Sequence, residues 1–267
     1  MSVERAVPGE KDWAQLSAPH LARYLAAAEY CEGLRVLDAA CGAGYGVAIL
    51  QSTGAAEVCG VDIDRDVVGR AREQFCEPAI EFCVDNCEGL NLIDGPFDLI
   101  CCFEAIEHFE QPERFLGRAV QLLSSDGVLL VSTPDRAATP SFVNGRPRNP
   151  FHAREWHRHE FSALLSTYFL SVEMRVQVES PALASRIQAV QALRQGLMWS
   201  NPLMTFVWRK WPLVSKANRS WTKLAGLAAP TVADYPIIPS IVAPAYGKPC
   251  FNFAICRRPI LRAQEAA

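Results

Sequence analysis

Glu104, Glu107 and His108 stand in the run Phe-Glu-Ala-Ile-Glu-His-Phe, residues 103–109, at i, i+3 and i+4 spacing. On a helix those positions share a face, so two carboxylates and one imidazole nitrogen can converge. Such a set is half a coordination shell for a divalent cation, and its oxygen content suits Mg²⁺ or Mn²⁺ better than structural zinc. A cation held beside a hydroxyl lowers its pKa and makes a weak nucleophile competent. A metal-free reading stands beside this one, in which the histidine lines a pocket and the glutamates cap or solvate a helix.

A second constellation lies upstream. Residues 36–46, Val-Leu-Asp-Ala-Ala-Cys-Gly-Ala-Gly-Tyr-Gly, carry an apolar strand through Asp38 into Gly42, Gly44 and Gly46. Glycines at that spacing let the backbone bend sharply and approach a ligand closely. Asp38 beside the turn repels phosphates and suits a ligand with an ammonium group or other cationic centre. Asp62 follows the next expected strand, placed to accept two ribose hydroxyls, and Asp85 with Asn86 follows the third, where an adenine amino group can be met. Three acids at three successive strand ends, with no basic phosphate binder among them, fit a neutral or cationic nucleoside better than NAD or ATP. An Asp at a strand end also caps a following helix or closes a turn, and Asp64 is read that way.

These residues need a parallel sheet to bring them together, and the pattern supplies one. Helical spacing covers 13–30, strands are expected at 34–40, 57–61, 80–84, 97–103 and 128–133, and helices at 47–52, 66–75 and 112–123 alternate with them. Pro112 stands at the start of its helix, where its missing N–H costs little. Residues 134–151 read as a loop, 161–169 as a helix, and 170–176 and 251–257 as two final antiparallel strands. The expected fold class is α/β: a doubly wound, mostly parallel seven-stranded sheet with a helical insertion before the last strand. Ligands bind such a sheet beyond the carboxyl ends of its strands, where the winding reverses.

The pattern D-x-x-C-G-x-G-x-G, joined to Asp62 and Asp85, resembles that of the class I S-adenosylmethionine (SAM) methyltransferases, over roughly residues 30–165. The resemblance implies SAM as cofactor, held by Asp38, Cys41, Gly42, Gly44, Asp62, Ile63, Asp85, Asn86 and Phe103. The E-x-x-E-H element, followed by Ser132-Thr133-Pro134 and by Asn149-Pro150-Phe151-His152-Ala153-Arg154-Glu155-Trp156, resembles the metal-dependent small-RNA 2′-O-methyltransferases. Its N-P-F-H-x-R-E segment is closer still to the methyltransferases of bacterial glycan-assembly clusters. By that resemblance Glu104, Glu107, His108 and His152 form the catalytic site and hold the metal, and the acceptor hydroxyl completes the coordination. His157 and His159 are read either as proton acceptors or as surface residues.

Composition sets the remaining bounds. The chain has 267 residues, half of them hydrophobic, and is expected to form a single methyltransferase domain over 1–267. A net charge of −3 gives no overall drive toward nucleic acid, yet residues 181–250 carry eight basic residues against one acid. Within this basic, Trp- and Pro-rich segment, 177–249, helices are expected near 182–199 and 202–221. Trp199, Trp208, Trp211 and Trp221, interleaved with basic residues, admit an acceptor lid, a peripheral contact with an anionic membrane through 199–223, or ordinary core aromatics. Ten cysteines without a C-x-x-C pair, and no apolar run long enough to span a bilayer, point to a reduced, cytoplasmic protein, at most at the inner membrane surface.

The sequence therefore points to an O-methyltransferase acting on a hydroxyl of a sugar or glycan-linked acceptor, one carrying phosphate included. Methylation of a phenol or quinone, of an RNA 2′-hydroxyl, and SAM binding by a regulatory subunit without turnover are the alternatives.

Overall fold

The computed structural model describes residues 13–138, 142–143, 146–147, 149–183, 185, 231–240 and 248–260. The expected helices over 182–199 and 202–221 and the basic aromatic run 199–223 lie outside them, apart from 182, 183 and 185.

Among the described residues, five α-helices and ten strands follow in chain order. α1 (Trp13–Ala28) leads into β1 (Arg35–Ala39), α2 (Tyr45–Ser52), β2 (Glu57–Asp62), α3 (Arg65–Gln74), β3 (Ile80–Val84) and β4 (Phe97–Phe103). α4 (Pro112–Leu122) precedes β5 (Leu123–Pro134), and a two-stranded ladder, β6 (Phe142–Val143) with β7 (Arg146–Pro147), comes next. Then come α5 (Arg158–Leu165), β8 (Phe169–Glu179), β9 (Ile237–Pro239) and β10 (Lys248–Pro259).

The main sheet has the order β3-β2-β1-β4-β5-β10-β8-β9. The first five strands pair in parallel, and β10 runs antiparallel to both β5 and β8. Winding reverses between β1 and β4, so the cleft that takes ligands opens at their carboxyl ends. Both faces are buried, which is why these strands read as nearly unbroken apolar runs. Val36 and Leu99 pack with Leu50, Val68 and Phe253 on one face, while Leu37 and Ile100 pack with Leu116 and Phe161 on the other.

Four expectations need correcting. The sheet has eight strands, because Ile237–Pro239 pairs with β8; two prolines flanking a pair of isoleucines obscure a strand, yet proline is tolerated at a sheet edge. The segment drawn as 177–249 overlaps β8 at its start and β10 at its end and contains β9. The fifth strand, expected over 128–133, starts at Leu123 and carries a bulge: Phe97 pairs with Leu123 and Leu99 with Val128, which leaves the residues between them unmatched. Residues 104–108 do not form an α-helix either; only Ile106–His108 coils, as one 3-10 turn. Pro112 opens α4 and keeps Gln111 out of the helical region, so little chain remains for a helix before it.

Candidate active site

At the end of β1 the chain turns through Ala40, Gly42 and Gly44, all at positive φ. Gly44 is the N-cap of α2 at φ 80°, and a Cβ there would lie 2.9 Å from Ala71 and from the Phe82 ring. No other residue meets both the conformation and the space. Asp62 fixes this turn from the neighbouring strand: one of its oxygens accepts the Gly42 N–H at 3.0 Å, the other the Asp64 N–H at 2.9 Å. Asp64 caps α3 through the N–H groups of Asp66 and Val67, as its position suggested. Asp85 is engaged in the same manner, accepting from Asn86 N at 2.7 Å and Leu92 N at 2.8 Å. An ionised carboxylate offers about four lone-pair sites, so both acids retain capacity for a ligand after shaping their loops. Beside Asp62 the Ile63 side chain is 65 % exposed, an apolar surface left in water at the edge of the cleft.

Asp38 sits deeper. It is fully buried under the turn, and its two oxygens accept from the Tyr24 hydroxyl. Burial raises its pKa to about 7, against the lowering effect of the Tyr24 hydrogen bond and with the help of the Asp62 charge. Cys41 and Phe103 are buried as well; the Phe103 ring packs edge-on to Tyr24 and stacks on Phe253.

The chemical cluster assembles from two segments far apart in sequence. The backbone oxygen of Glu107 accepts the N–H groups of Ala153 and Arg154, at 2.8 and 3.1 Å, and docks the 149–156 loop onto the 3-10 turn. Ligand atoms of Glu107, His108 and His152 then lie within 4.8 Å of one another. His108 Nδ1 meets the Phe151 carbonyl at 2.9 Å, and His152 Nδ1 meets Glu155 Oε1 at 2.7 Å. Because both partners only accept, each Nδ1 carries the proton and each Nε2 carries the lone pair. Asn149 Nδ2 approaches His152 Nε2 at 2.9 Å, with its own oxygen taken by the Phe151 N–H. Glu107 is buried with Oε2 lacking a hydrogen-bond partner. Burial, and next the Glu104 charge, push its pKa well above the ordinary carboxylate value, against the lowering effect of the neighbouring Thr133 hydroxyl, which is itself buried without a well-formed hydrogen bond.

Glu104 stands apart from this trio. It occupies φ 52°, and its Oε1 accepts the Ser132 hydroxyl at 2.9 Å and lies 3.9 Å from Arg23 Nη1. His157 and His159 stack on each other at the start of α5, where Glu160 accepts the His157 N–H. Behind the loop a cleft of about 480 Å³ is lined by Arg136, Arg154, Glu155, Trp156, Glu160 and Leu164, so Glu155 borders it while holding His152.

Sequence reasoning assigns no role to Arg23, Tyr24, Ser132 or Glu155. Ser132 and Glu155 stand inside named motifs without a role of their own. The others acquire their roles from strands paired across the sheet.

Comparison with known proteins agrees with this geometry. Residues 37–131 match the family described as a methyltransferase domain. A probable S-adenosylmethionine-dependent methyltransferase of Mycobacterium tuberculosis is 31 % identical over 224 residues, 82 % of this chain and 75 % of that one. A probable S-adenosylmethionine-dependent methyltransferase of Mycolicibacterium smegmatis is 35 % identical over 172 residues; the match covers 64 % of this chain and 65 % of that one, just under two thirds of the relative's length. Among solved structures, a possible histamine N-methyltransferase of Thermotoga maritima matches 93 % of each chain with a TM-score of 0.58 at 15 % identity. The cyclase SpnF matches 96 % of this chain and 86 % of its own with a TM-score of 0.57 at 19 % identity. A cyclase on this fold means that fold alone does not fix the reaction. The glycine turn, the acids at the strand ends and the curated relatives together place the chain in the S-adenosylmethionine-dependent methyltransferase family.

Proposed function

We propose that this protein transfers a methyl group from S-adenosylmethionine to a hydroxyl of a sugar or glycan-linked acceptor, with a divalent cation held by Glu107, His108 and His152. The observation that carries the reading is the convergence of those three side chains, with the buried Glu107 Oε2 lacking a partner. A buried polar atom left unpaired costs about 1–3 kcal/mol, and a cation is a partner that two imidazole lone pairs would share. His152 is backed by Glu155, the carboxylate-histidine arrangement that orients metal-binding imidazoles.

The cofactor supplies an electrophilic methyl group on a sulfonium, and the cation supplies polarisation of the acceptor hydroxyl. The chain does the rest. Asp62, Asp85 and Asn86 meet the nucleoside, the glycine turn admits it closely, and Asp38 sets a carboxyl beneath the turn that a cationic ligand group would draw toward its ionised form. Glu104 stands outside the trio and accepts the Ser132 hydroxyl. As the new C–O bond forms and the C–S bond breaks, the hydroxyl proton must leave, and with both Nε2 lone pairs given to the cation it is released to water.

The test is transfer of labelled methyl groups to sugar, nucleotide-sugar, phenol and RNA panels, before and after EDTA and after Mg²⁺ or Mn²⁺ is returned. Activity on a sugar that EDTA abolishes and metal restores supports the reading. Undiminished activity in EDTA overturns the metal assignment.

One observation favours a second reading. A ubiquinone biosynthesis O-methyltransferase of Xanthomonas campestris is 32 % identical over 116 residues, 42 % of this chain and 48 % of that one. Transfer to the phenol arm of the panel alone would favour it.

A further inference from the structure

The cleft behind the 149–156 loop holds about 480 Å³, within the usual range for a small-ligand pocket. Among the described residues that line it, Glu107, His108 and His152 do not appear. The cleft is therefore separate from the chemical cluster, and the methyl-transfer steps do not use it.

Its walls carry charge of both signs. Arg136 and Arg154 bring two guanidiniums, Glu155 and Glu160 two carboxylates, and the almost buried Trp156 forms the floor, with Leu164 adding apolar surface. These groups are fixed before anything enters. Arg154 donates to Glu113 at 3.1 Å, with its guanidinium 5.9 Å from the centre of the Trp156 ring. The Arg136 N–H donates to the Trp156 carbonyl at 3.0 Å. Glu160 accepts the His157 N–H at 2.8 Å, and Glu155 accepts from His152 Nδ1 at 2.7 Å. A site whose polar groups are already held loses little freedom on binding.

That balance of charge selects the ligand. A phosphate or carboxylate in the cleft meets two carboxylates, and an ammonium meets two guanidiniums, so net charge of either sign gains little. A neutral molecule with several hydroxyls uses both sets, because each hydroxyl can donate to a carboxylate and accept from a guanidinium, and bonds to charged partners are the stronger kind. The C–H groups of a pyranose would rest on Trp156 and Leu164. Glu155 joins the cleft to the chemical cluster, since the carboxylate that borders the one orients His152 in the other.

We propose that the cleft binds a neutral pyranose ring of a glycan-linked acceptor, adjacent to the ring whose hydroxyl is methylated. The adjacent ring rests on the reading of methyl transfer to a glycan; binding of a sugar in the cleft does not. The acceptor class narrows to saccharides of at least two linked rings.

The test reads the cleft directly and needs no turnover. The methyl α-pyranosides of glucose, galactose and mannose are titrated into full-length ¹⁵N-labelled protein while the indole N–H resonances are followed. The Trp156 resonance is identified by its loss in Trp156→Phe. Where that variant fails to fold by near-UV circular dichroism, Arg154→Ala identifies the same resonance by removing the cation over its ring. Arg154 is half exposed and its pair with Glu113 lies in water, so this change leaves the fold intact. The expected result is a saturable shift of the Trp156 resonance with at least one glycoside at millimolar concentration, weakened about tenfold in Arg154→Ala, the effect of losing one hydrogen bond to a charged group. No shift with any of the glycosides overturns the proposal, as does equal affinity in Arg154→Ala. A shift with sodium phosphate and none with a glycoside also overturns it, since the cleft is then an anion site. A glycoside-dependent shift with no sugar methylated in the labelled-methyl assay upholds the sugar site and overturns the methyl-transfer reading instead.

Discussion

The Tyr24 hydroxyl lies 3.2 Å from one oxygen of Asp38 and 3.0 Å from the other, and both residues are sealed from water. Gly46 makes the pairing possible, since a Cβ at that position would occupy the space of the Tyr24 ring. Helix α1, the glycine turn and β1 are thereby locked together at one polar contact.

Tyr24→Phe should strip that donor from a buried carboxyl while leaving the ring packing intact. Loss of a hydrogen bond to a buried acceptor costs about 1–3 kcal/mol, so the urea midpoint of the ligand-free protein should fall by a corresponding amount. Gly46→Ala should be at least as damaging, because it displaces the ring as well as the hydroxyl. Equal stability of Tyr24→Phe and the parent would show that Asp38 has another partner in solution.

Asp38 also predicts a pH dependence. Its carboxyl ionises near pH 7 in the native state, against an ordinary value of 3.8. Between those values the unfolded chain has lost the proton that the native chain keeps, so the native state binds more protons and stability falls as pH rises through the window. Glu107, raised by burial and by Glu104, acts in the same sense. Glu160, held below the usual carboxylate range by the His157 N–H, acts oppositely, so the measurement is a difference: the gap in urea midpoint between Asp38→Asn and the parent should shift in favour of the variant as pH is raised from about 4 to about 7. A gap that does not change with pH would mean that Asp38 ionises normally.

The contrast between what the sequence revealed and what it hid has a physical basis. Strands covered on both faces write continuous apolar runs, and a strand that stops at an acid or a glycine marks a ligand edge, so β1 to β5, Asp38, Asp62 and Asp85 could be located from local pattern. Arg23 looks like any basic residue on a helix until β8 arrives more than a hundred residues later and Gln177 accepts its Nη1. Likewise the face shared by Glu104, Glu107 and His108 was inferred from helical spacing. That spacing loses its meaning once Pro112 limits the segment to a 3-10 turn and Glu104 takes a left-handed conformation. Local periodicity cannot report pairings set by distant strands.

Glu155 offers a test of the metal reading that leaves its proposed ligands in place. It is buried and receives the His152 Nδ1 proton at 2.7 Å. Glu155→Gln should leave the fold largely unchanged and weaken Mn²⁺ binding about 10–100-fold, the usual effect of removing the group that orients a metal-binding imidazole. Titration of Mn²⁺ followed by electron paramagnetic resonance measures it. Unaltered Mn²⁺ affinity in this variant, with binding still abolished by Glu107→Gln, would confine the cation to Glu107 and His108.

Glu104 sets two effects against each other, and magnitudes decide the outcome. Its φ of 52° is a conformation that costs a non-glycine residue about 1–2 kcal/mol, which Glu104→Gly would relieve. The same change removes the carboxylate nearest to the buried guanidinium of Arg23, at 3.9 Å. Removing one partner of a buried ion pair costs about 3–5 kcal/mol, so Glu104→Gly should be less stable than the parent despite its easier backbone. Glu104→Gln keeps the strained backbone and can keep the Ser132 hydrogen bond but loses the charge, so its fall in stability relative to the parent reports the charge alone. Urea denaturation of all three proteins distinguishes the cases: a glycine variant more stable than the parent would mean that Arg23 draws little from Glu104 and that backbone strain is the larger cost at this position.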